Sequence, residues 1–364
     1  MESFVVSALK YRPTTFEEVV GQQSITQTLK NSLEKDQLAQ ALLFCGPRGV
    51  GKTSCARILA KQINHTQTES KEEDYAFNIF ELDAASNNSV EDIRKINEQV
   101  RIPPQIGTHK IYIIDEAHML SNQAFNAFLK TLEEPPKHVI FILATTEKNK
   151  IIPTVLSRCQ VYDFKRISVS DIQNYLVKIA QDRALEFEES ALYLIAQKAE
   201  GALRDALSIF DRMVSFTQGN LSAKAVADNL NLLDHQAYSD LGKIIFKNDI
   251  PGILKSYDDL LQRGIDPMQF IKGLGDFFRH LMLAKDPNTL SLMEIGEDVK
   301  KSYQEETHAL STEYLLDAIA LINTSEVNYK SVSNKRVHVE LMLMQLASLH
   351  FNGEKKKATS SQPT

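Results

Sequence analysis

The sequence predicts an α/β domain with a parallel five-stranded sheet, followed by a small helical domain and a larger all-α domain. Three observations predict it. Short, near-continuous apolar runs alternate with amphipathic stretches over the first ~165 residues, the alternation stops after Arg166, and the remainder carries apolar residues at helical spacing. Strands apolar on both faces and separated by helices belong to sheets covered on both sides, and such sheets are parallel.

The expected strands are ALLFC (41–45), NIFEL (78–82), KIYIID (110–115), VIFILATT (139–146) and QVYDFK (160–165). The stretches between them, TSCARILAKQI, VEDIRKINEQV and SNQAFNAFLKTLEE, repeat apolar residues every three or four positions and read as helices. After Arg166, SVSDIQNYLVKIAQDRAL opens with a Ser cap and has no strand signal, and ESALYLIAQKAEG and ALRDALSIFDRMVSF follow as two more helices. TQGN (217–220) breaks the pattern. From Leu221 to Phe351 the pattern is helical again, with stops at NDIPG, RGIDP and AKDPN, and there is no internal repeat. The end, NGEKKKATSSQPT, is polar and charged and reads as a disordered tail. The expected divisions are 1–166, 167–220, 221–352 and 353–364.

A chain of 364 residues suits two or three domains. With 43% hydrophobic and 24% charged residues its composition is soluble and globular, and no apolar run reaches the ~18 residues of a membrane span. MESFVVSALKYRP lacks the basic-then-apolar order of a secretory signal. Cys45, Cys55 and Cys159 form neither a metal spacing nor a disulfide framework. A reducing cytoplasm is therefore expected. The net charge of −6 rules out global attraction to nucleic acid, so any such contact needs a local basic patch.

The sharpest local signal is GPRGVGKT: Gly46, Pro47, Arg48, Gly49, Val50, Gly51, Lys52 and Thr53, with Ser54 following. It sits between a strand and a helix, where a P-loop belongs. Glycines let backbone N–H groups turn toward phosphate oxygens, and the helix N-terminus adds positive potential. Lys52 is expected to reach the β- and γ-phosphates of a nucleotide and the Thr53 hydroxyl to sit on Mg²⁺. IYIIDEAHML delivers Asp115 and Glu116 to the carboxyl end of a strand. Asp115 is expected to hold Mg²⁺ through its water shell, and Glu116 to orient or deprotonate the attacking water. Thr145, ending another strand, offers a hydroxyl to that water or to the γ-phosphate. Arg158 in SRC and Arg204 in GALRDA supply planar forks of donors suited to phosphoryl charge. The sequence leaves open whether Arg158 serves its own nucleotide or a neighbour's. The alternatives are a surface arginine for Arg158 and a helix-surface ion pair for Arg204.

These elements, with the helices after them, resemble the AAA+ ATPases. KYRPTTFEEVVGQQ (10–23), ELDAASNNSVEDIR (81–94), NAFLKTLEEPP (126–136), LATTE, SRC and GALRDALS resemble, in order, the bacterial DNA polymerase III gamma/tau family of clamp-loader ATPases. The resemblance is closest over about residues 10–215 and weaker to about 350. It implies a lid domain and an oligomerising collar after the ATPase domain. It implies that ATP is the nucleotide, with Tyr11, Arg12, Pro13, Val19 and Val20 flanking the adenine. Arg158 would act in trans, and Arg204 would be the lid's sensor. The implied partners are the delta and delta-prime subunits, copies of the chain itself, the sliding clamp and primed DNA. Lys95, Arg101 and Lys130 are candidates for tracking DNA phosphates. The apolar helices MQFIKGLGDFFRHLMLA and EYLLDAIALI suit partner packing, or simply the collar's own core.

Two departures bear on this. Many family members carry a four-cysteine zinc module after the P-loop helix. Here that stretch reads NHTQTESKEEDY (64–75), with His65 and no cysteine, so no zinc site is expected. Longer members continue into helicase- and polymerase-binding segments, and those functions are not expected of this chain. The DEAH string (115–118) also invites a helicase reading, which requires a second ATPase-like domain. A branch-migration motor requires a winged helix with a β-hairpin. A non-hydrolysing structural subunit is the third alternative, and intact Lys52, Thr53, Asp115 and Glu116 argue against it.

Overall fold

The structure is a computed structural model describing residues 5–65, 77–105, 107–230, 233, 235–293, 295 and 297–359. It separates into two compact units. One gathers the residues up to Asp182 with Ile195–Arg212, and the other gathers Arg183–Leu194 with the residues from Met213 on. The stretch 167–220, read from sequence as one small domain, is divided between these units.

The first unit is built on strands β1 (Ala41–Cys45), β2 (Ile79–Asp83), β3 (Lys110–Asp115), β4 (Val139–Thr145) and β5 (Gln160–Asp163). They pair in the order β2-β3-β4-β1-β5, every pair parallel. The register sets Cys45 beside Thr145 and Asp115 beside Asp83, so the carboxyl ends form one edge. Alternation along the strands feeds two cores. Leu42, Phe44, Ile113 and Ile142 pack with Leu29 of α2 (Gln23–Glu34) and Leu59 of α3 (Lys52–His65). Leu43, Tyr112, Phe141 and Leu143 pack on the other face with Ile93 of α4 (Val90–Gln99) and Phe128 of α5 (Asn122–Glu133). Phe128 meets Phe141 edge-on with ring centres 4.9 Å apart. Burying one such ring contributes about 2–3 kcal/mol. Side-chain caps fix where α4 and α5 begin: Ser89 Oγ accepts from the Asp92 N–H, and Ser121 Oγ from the Ala124 N–H.

The chain opens with the short helix α1 (Ser7–Lys10), and α6 (Pro153–Leu156) precedes β5. Beyond β5 come α7 (Val169–Asp182), α8 (Glu189–Lys198) and α9 (Leu203–Phe216). Two strands stand where no strand signal is found in the sequence: β6 (Glu186–Phe187) and β7 (Asn220–Leu221), paired in parallel. Two residues are too few to display a period.

The second unit continues with α10 (Ala223–Leu230), α11 (His235–Phe246), α12 (Ile250–Gln262), α13 (Pro267–Leu283), α14 (Glu297–Thr307), α15 (Thr312–Asn328) and α16 (Lys335–Thr359). Asp266 caps α13 by accepting from the Gln269 N–H, and Pro267 occupies the first turn, where no N–H is needed. The helix buries Phe270, Leu274, Phe277, Phe278 and Leu281 in one cluster with Leu315 and Ile322 of α15 and Leu343 of α16. α15 leaves Leu316 and Val327 exposed. α16 runs past the boundary expected at 352, because Glu, Lys and Ala in GEKKKAT are good helix formers. The rest of the expected tail, 360–364, lies outside the described residues, as do 66–76, most of the stretch expected to lack zinc ligands.

Candidate nucleotide-binding site

The loop after β1 turns on glycines. Gly46 has φ +146°, and a Cβ there would lie 2.4 Å from the Phe164 carbonyl oxygen. Gly51 has φ +104° and passes the chain into α3. Lys52 is only 6% exposed, and its Nζ donates to the carbonyls of Gly46 and Pro47, each at 2.7 Å. Burial lowers its pKa, while Glu116 and Asp115 pull it back up. Gly46 and Pro47 thus meet the site through Lys52.

In the first turn of α3, Thr53 Oγ1 donates to Asp115 Oδ2 at 2.8 Å. Asp115 Oδ1 accepts from the Glu116 N–H at 2.9 Å. Glu116 has φ +47°, a left-handed conformation that is uncommon for a non-glycine residue and clusters at functional sites. Its Oε2 accepts from Thr146 Oγ1 at 3.0 Å and lies 3.5 Å from His118 Nδ1.

Lys52, Thr53, Asp115 and Glu116 edge a cavity of about 700 Å³. Arg48, Gly49, Val50, Gly51, Lys52, Thr53 and Ser54 form its floor, with Asp115 and Glu116 beside them. Tyr11, Arg12, Pro13, Val19 and Val20, the five residues the resemblance assigns to the adenine, line it as well. So does Arg204, in the first turn of α9, whose N–H donates to the Gly49 carbonyl at 3.4 Å. Burial lowers the pKa of Arg12, and Arg57 and Arg204 lower it further, against pulls from Glu81 and Asp115. Arg57 is held by Glu81 through two bonds, 2.7 Å from Nε to Oε2 and 2.5 Å from NH2 to Oε1. Four guanidiniums, of Arg12, Arg48, Arg57 and Arg204, and the Lys52 ammonium outnumber the carboxylates of Glu81, Asp115, Glu116 and Asp211 around this concave space, a balance suited to a polyanion.

The strand-end hydroxyl differs from the expectation. Thr145 is fully buried, and its Oγ1 accepts from the Glu147 N–H at 3.0 Å and pairs with His118 Nδ1 at 3.1 Å. The hydroxyl that meets Glu116 belongs to Thr146. Successive residues at a strand end point to opposite faces, so a shift of one changes which threonine faces the acids.

Arg158 does not line the cavity of its own chain. Its NH1 donates to the Thr154 carbonyl at 2.8 Å and its NH2 to Glu133 Oε1 at 3.0 Å, and its buried Nε has no hydrogen-bond partner among the described residues. Lys95 on α4, Arg101 just beyond it and Lys130 on α5 are all exposed. Thr146, His118, Arg57, Glu81, Ser7 and Asp211 join the site without having been singled out. ATT and DEAH offered Thr146 and His118 in plain sight, whereas Arg57, Glu81, Ser7 and Asp211 meet through tertiary contacts that no local string encodes.

Among the described residues no three His, Cys, Asp or Glu side chains gather to hold a metal. The Thr53 hydroxyl and Asp115 carboxylate are hard oxygens already in contact, a set that suits Mg²⁺ with phosphate and water in the other positions.

Three stretches match known families in turn. Residues 21–168 match the DNA polymerase III delta subunit, 171–219 the ATPase lid domain of the DNA polymerase III clamp loader subunit, and 221–360 domain III of DNA polymerase III subunits gamma and tau. DNA polymerase III subunit tau of Bacillus subtilis (strain 168) is 38% identical over 348 residues, 92% of this chain and 62% of that protein. Subunit tau of Escherichia coli (strain K12) is 36% identical over 361 residues, 96% of this chain and 56% of that protein. Subunit gamma of Buchnera aphidicola subsp. Baizongia pistaciae (strain Bp) is 31% identical over 364 residues, 96% of this chain and 98% of that protein. The chain therefore spans 56–62% of the two tau relatives and nearly all of the gamma relative.

Proposed function

The chain belongs to the DNA polymerase III gamma/tau family, and on that premise we propose that it is an ATP-driven motor subunit of a clamp loader. ATP binding supports opening of a sliding clamp and capture of primed DNA, and hydrolysis releases the closed clamp on that DNA. The observation that carries this reading is the bond between Thr53 and Asp115, which joins the P-loop helix to the acidic end of β3 at the floor of one cavity.

The roles follow from chemistry. Loop N–H groups and Lys52 take up the phosphates. Thr53 and Asp115 hold Mg²⁺, which when bound neutralises phosphate charge. Glu116 takes the proton of the attacking water, and the Thr146 hydroxyl on its Oε2 fixes how the carboxylate is presented. Tyr11, Arg12, Pro13, Val19 and Val20 receive the adenine, and Arg204 brings the lid to the phosphates. Arg158 serves the ATP of an adjacent subunit, in an assembly with delta, delta-prime and further copies of this chain. Lys95, Arg101 and Lys130 meet DNA phosphates. The setting is the cytoplasm, and among the described residues no helix is long and apolar enough to cross a membrane.

The test is ATP turnover by the chain assembled with delta and delta-prime, with and without clamp and primed DNA. The expected result is stimulation by clamp and DNA together, with no duplex unwinding. Unwinding would move the chain to a helicase-type motor. Binding without turnover would make it a structural subunit.

A further inference from the structure

Helix α9 lays one stripe along the cavity. Arg204, Leu207, Ser208 and Asp211 all line it, at the spacing that puts residues on a single helical face. The stripe's first residue contacts the phosphate loop through the Gly49 carbonyl. Two turns later, about 10 Å along the axis, Asp211 takes two hydrogen bonds from Ser7. The backbone N–H donates to Oδ2 and the hydroxyl to Oδ1, each at 2.6 Å. Ser7 opens the four-residue helix α1 and is its only buried residue. Val6, the residue before it, supplies no side-chain cap, so the Asp211 carboxylate takes that place from a distant part of the chain. Val6, Ala8, Leu9 and Tyr11 line the same cavity. A helix of one turn has no stability of its own, so its position depends on tethers. Asp211 provides one, and the Tyr175 hydroxyl, donating to the Tyr11 carbonyl at 3.0 Å, provides another.

We infer that Asp211 is a positioning residue for nucleobase recognition: by fastening Ser7 it sets the wall formed by residues 6–13 and makes that wall move with the helix whose other end touches the phosphate loop. The inference rests on the nucleotide-binding reading above. The bonds to Asp211 are charge-assisted and short, the stronger class of hydrogen bond. Their loss acts on the base end of a ligand and spares its phosphate end.

The experiment measures affinity of the full chain for two probes with Mg²⁺, ATP and inorganic tripolyphosphate, in Asp211→Ala and Ser7→Ala. Asp211→Ala is expected to weaken ATP binding about tenfold while changing tripolyphosphate binding less than about twofold. In turnover assays KM rises by the same factor and kcat stays within about twofold. Ser7→Ala keeps the backbone donor, so about a threefold loss for ATP is expected. It also serves as the readout if the Asp211 variant does not fold. Equal weakening of both probes, or unchanged ATP affinity in both variants, would overturn the inference. If the unaltered chain binds tripolyphosphate and ATP equally, the wall takes no part in recognition. If it binds neither, the nucleotide-binding reading itself fails.

Discussion

Ionisable groups removed from water occur in both compact units, and those at the cavity of the first end differently from those in the helical core of the second. In the first unit Lys52 and Arg12, whose pKa values burial lowers, stand at a cavity with Asp115 and Glu116 close by. In the second unit the groups end on one another. His280 is driven down to about 4 by burial, helped by Arg279 and His235. Its ring lies 5.3 Å from that of Tyr303, which in turn lies 4.4 Å from His235. Glu306 Oε1 accepts from Ser239 at 2.5 Å and from Ser302 at 3.3 Å. Burial also raises the pKa of Tyr303. A perturbed ionisable group points to a binding site when its neighbours converge on open space, and to a packed core when they close on themselves. The two units should therefore respond to substitution in different observables.

The largest effect that could break this contrast belongs to Glu116. Glu116→Gln keeps size and shape and removes the base, so turnover should fall about 10²–10⁴-fold with ATP affinity and melting temperature nearly unchanged. Single-turnover kinetics beside a binding titration would check it. Normal hydrolysis would remove Glu116 from its role. Lys52→Ala comes next. It deletes an ammonium whose desolvation is tolerated beside two acids, and ATP affinity should drop about a hundredfold. If Lys52→Ala instead lowered the melting temperature and left affinity intact, its burial would be structural, and the two units would no longer differ.

The second unit offers the complementary measurement. His280 has a folded pKa below its ordinary 6.5, so the unfolded chain binds the proton first as pH falls. Its contribution to stability is complete above about pH 6.5 and is lost as pH drops toward 4. Asp276 on the same helix has a pKa raised by burial, so it takes up a proton in the folded unit and offsets part of that loss. A net decline smaller than the roughly 3 kcal/mol that the His280 shift alone corresponds to is expected over this window. Urea denaturation at several pH values would read it, and His280→Gln should flatten the slope while leaving Asp276's share. A slope unchanged by that substitution would place the titration elsewhere.

How much of this was legible depended on length scale. β1 and β3 were read to the residue, because a both-faces-buried strand prints its whole extent as an apolar run. The meeting of the loop 46–54 with Asp115 and Glu116 at one cavity was legible because each is contiguous in sequence and follows directly on a strand. The opposite end of the cavity was legible only in part. The resemblance supplied Tyr11 to Pro13, but Ser7 meets Asp211 across 204 positions, and nothing in the helical pattern that holds Asp211 points to Ser7. The pairing of β6 with β7 was hidden for the same reason. The stretch 167–220 reads as one helical domain, and the lid-domain match over 171–219 falls inside it, while the boundaries between the two compact units cut through α8 and α9.

The smallest effect separates two adjacent threonines, and it sharpens the contrast within one strand end. Thr146 Oγ1 donates to Glu116, whereas Thr145 Oγ1 is fully buried between the Glu147 N–H and His118. Thr146→Val removes the bond that presents the carboxylate, so turnover should fall about tenfold with the melting temperature unchanged. Thr145→Val leaves the Glu147 N–H without its acceptor in a buried place, which should cost about 1–2 kcal/mol of stability and alter turnover less. Thermal melts and ATPase rates on the two variants would decide between them. If Thr145→Val were the one that slowed turnover at unchanged stability, His118 would be transmitting its hydroxyl to Glu116, since the imidazole Nδ1 stands 3.1 Å from one group and 3.5 Å from the other.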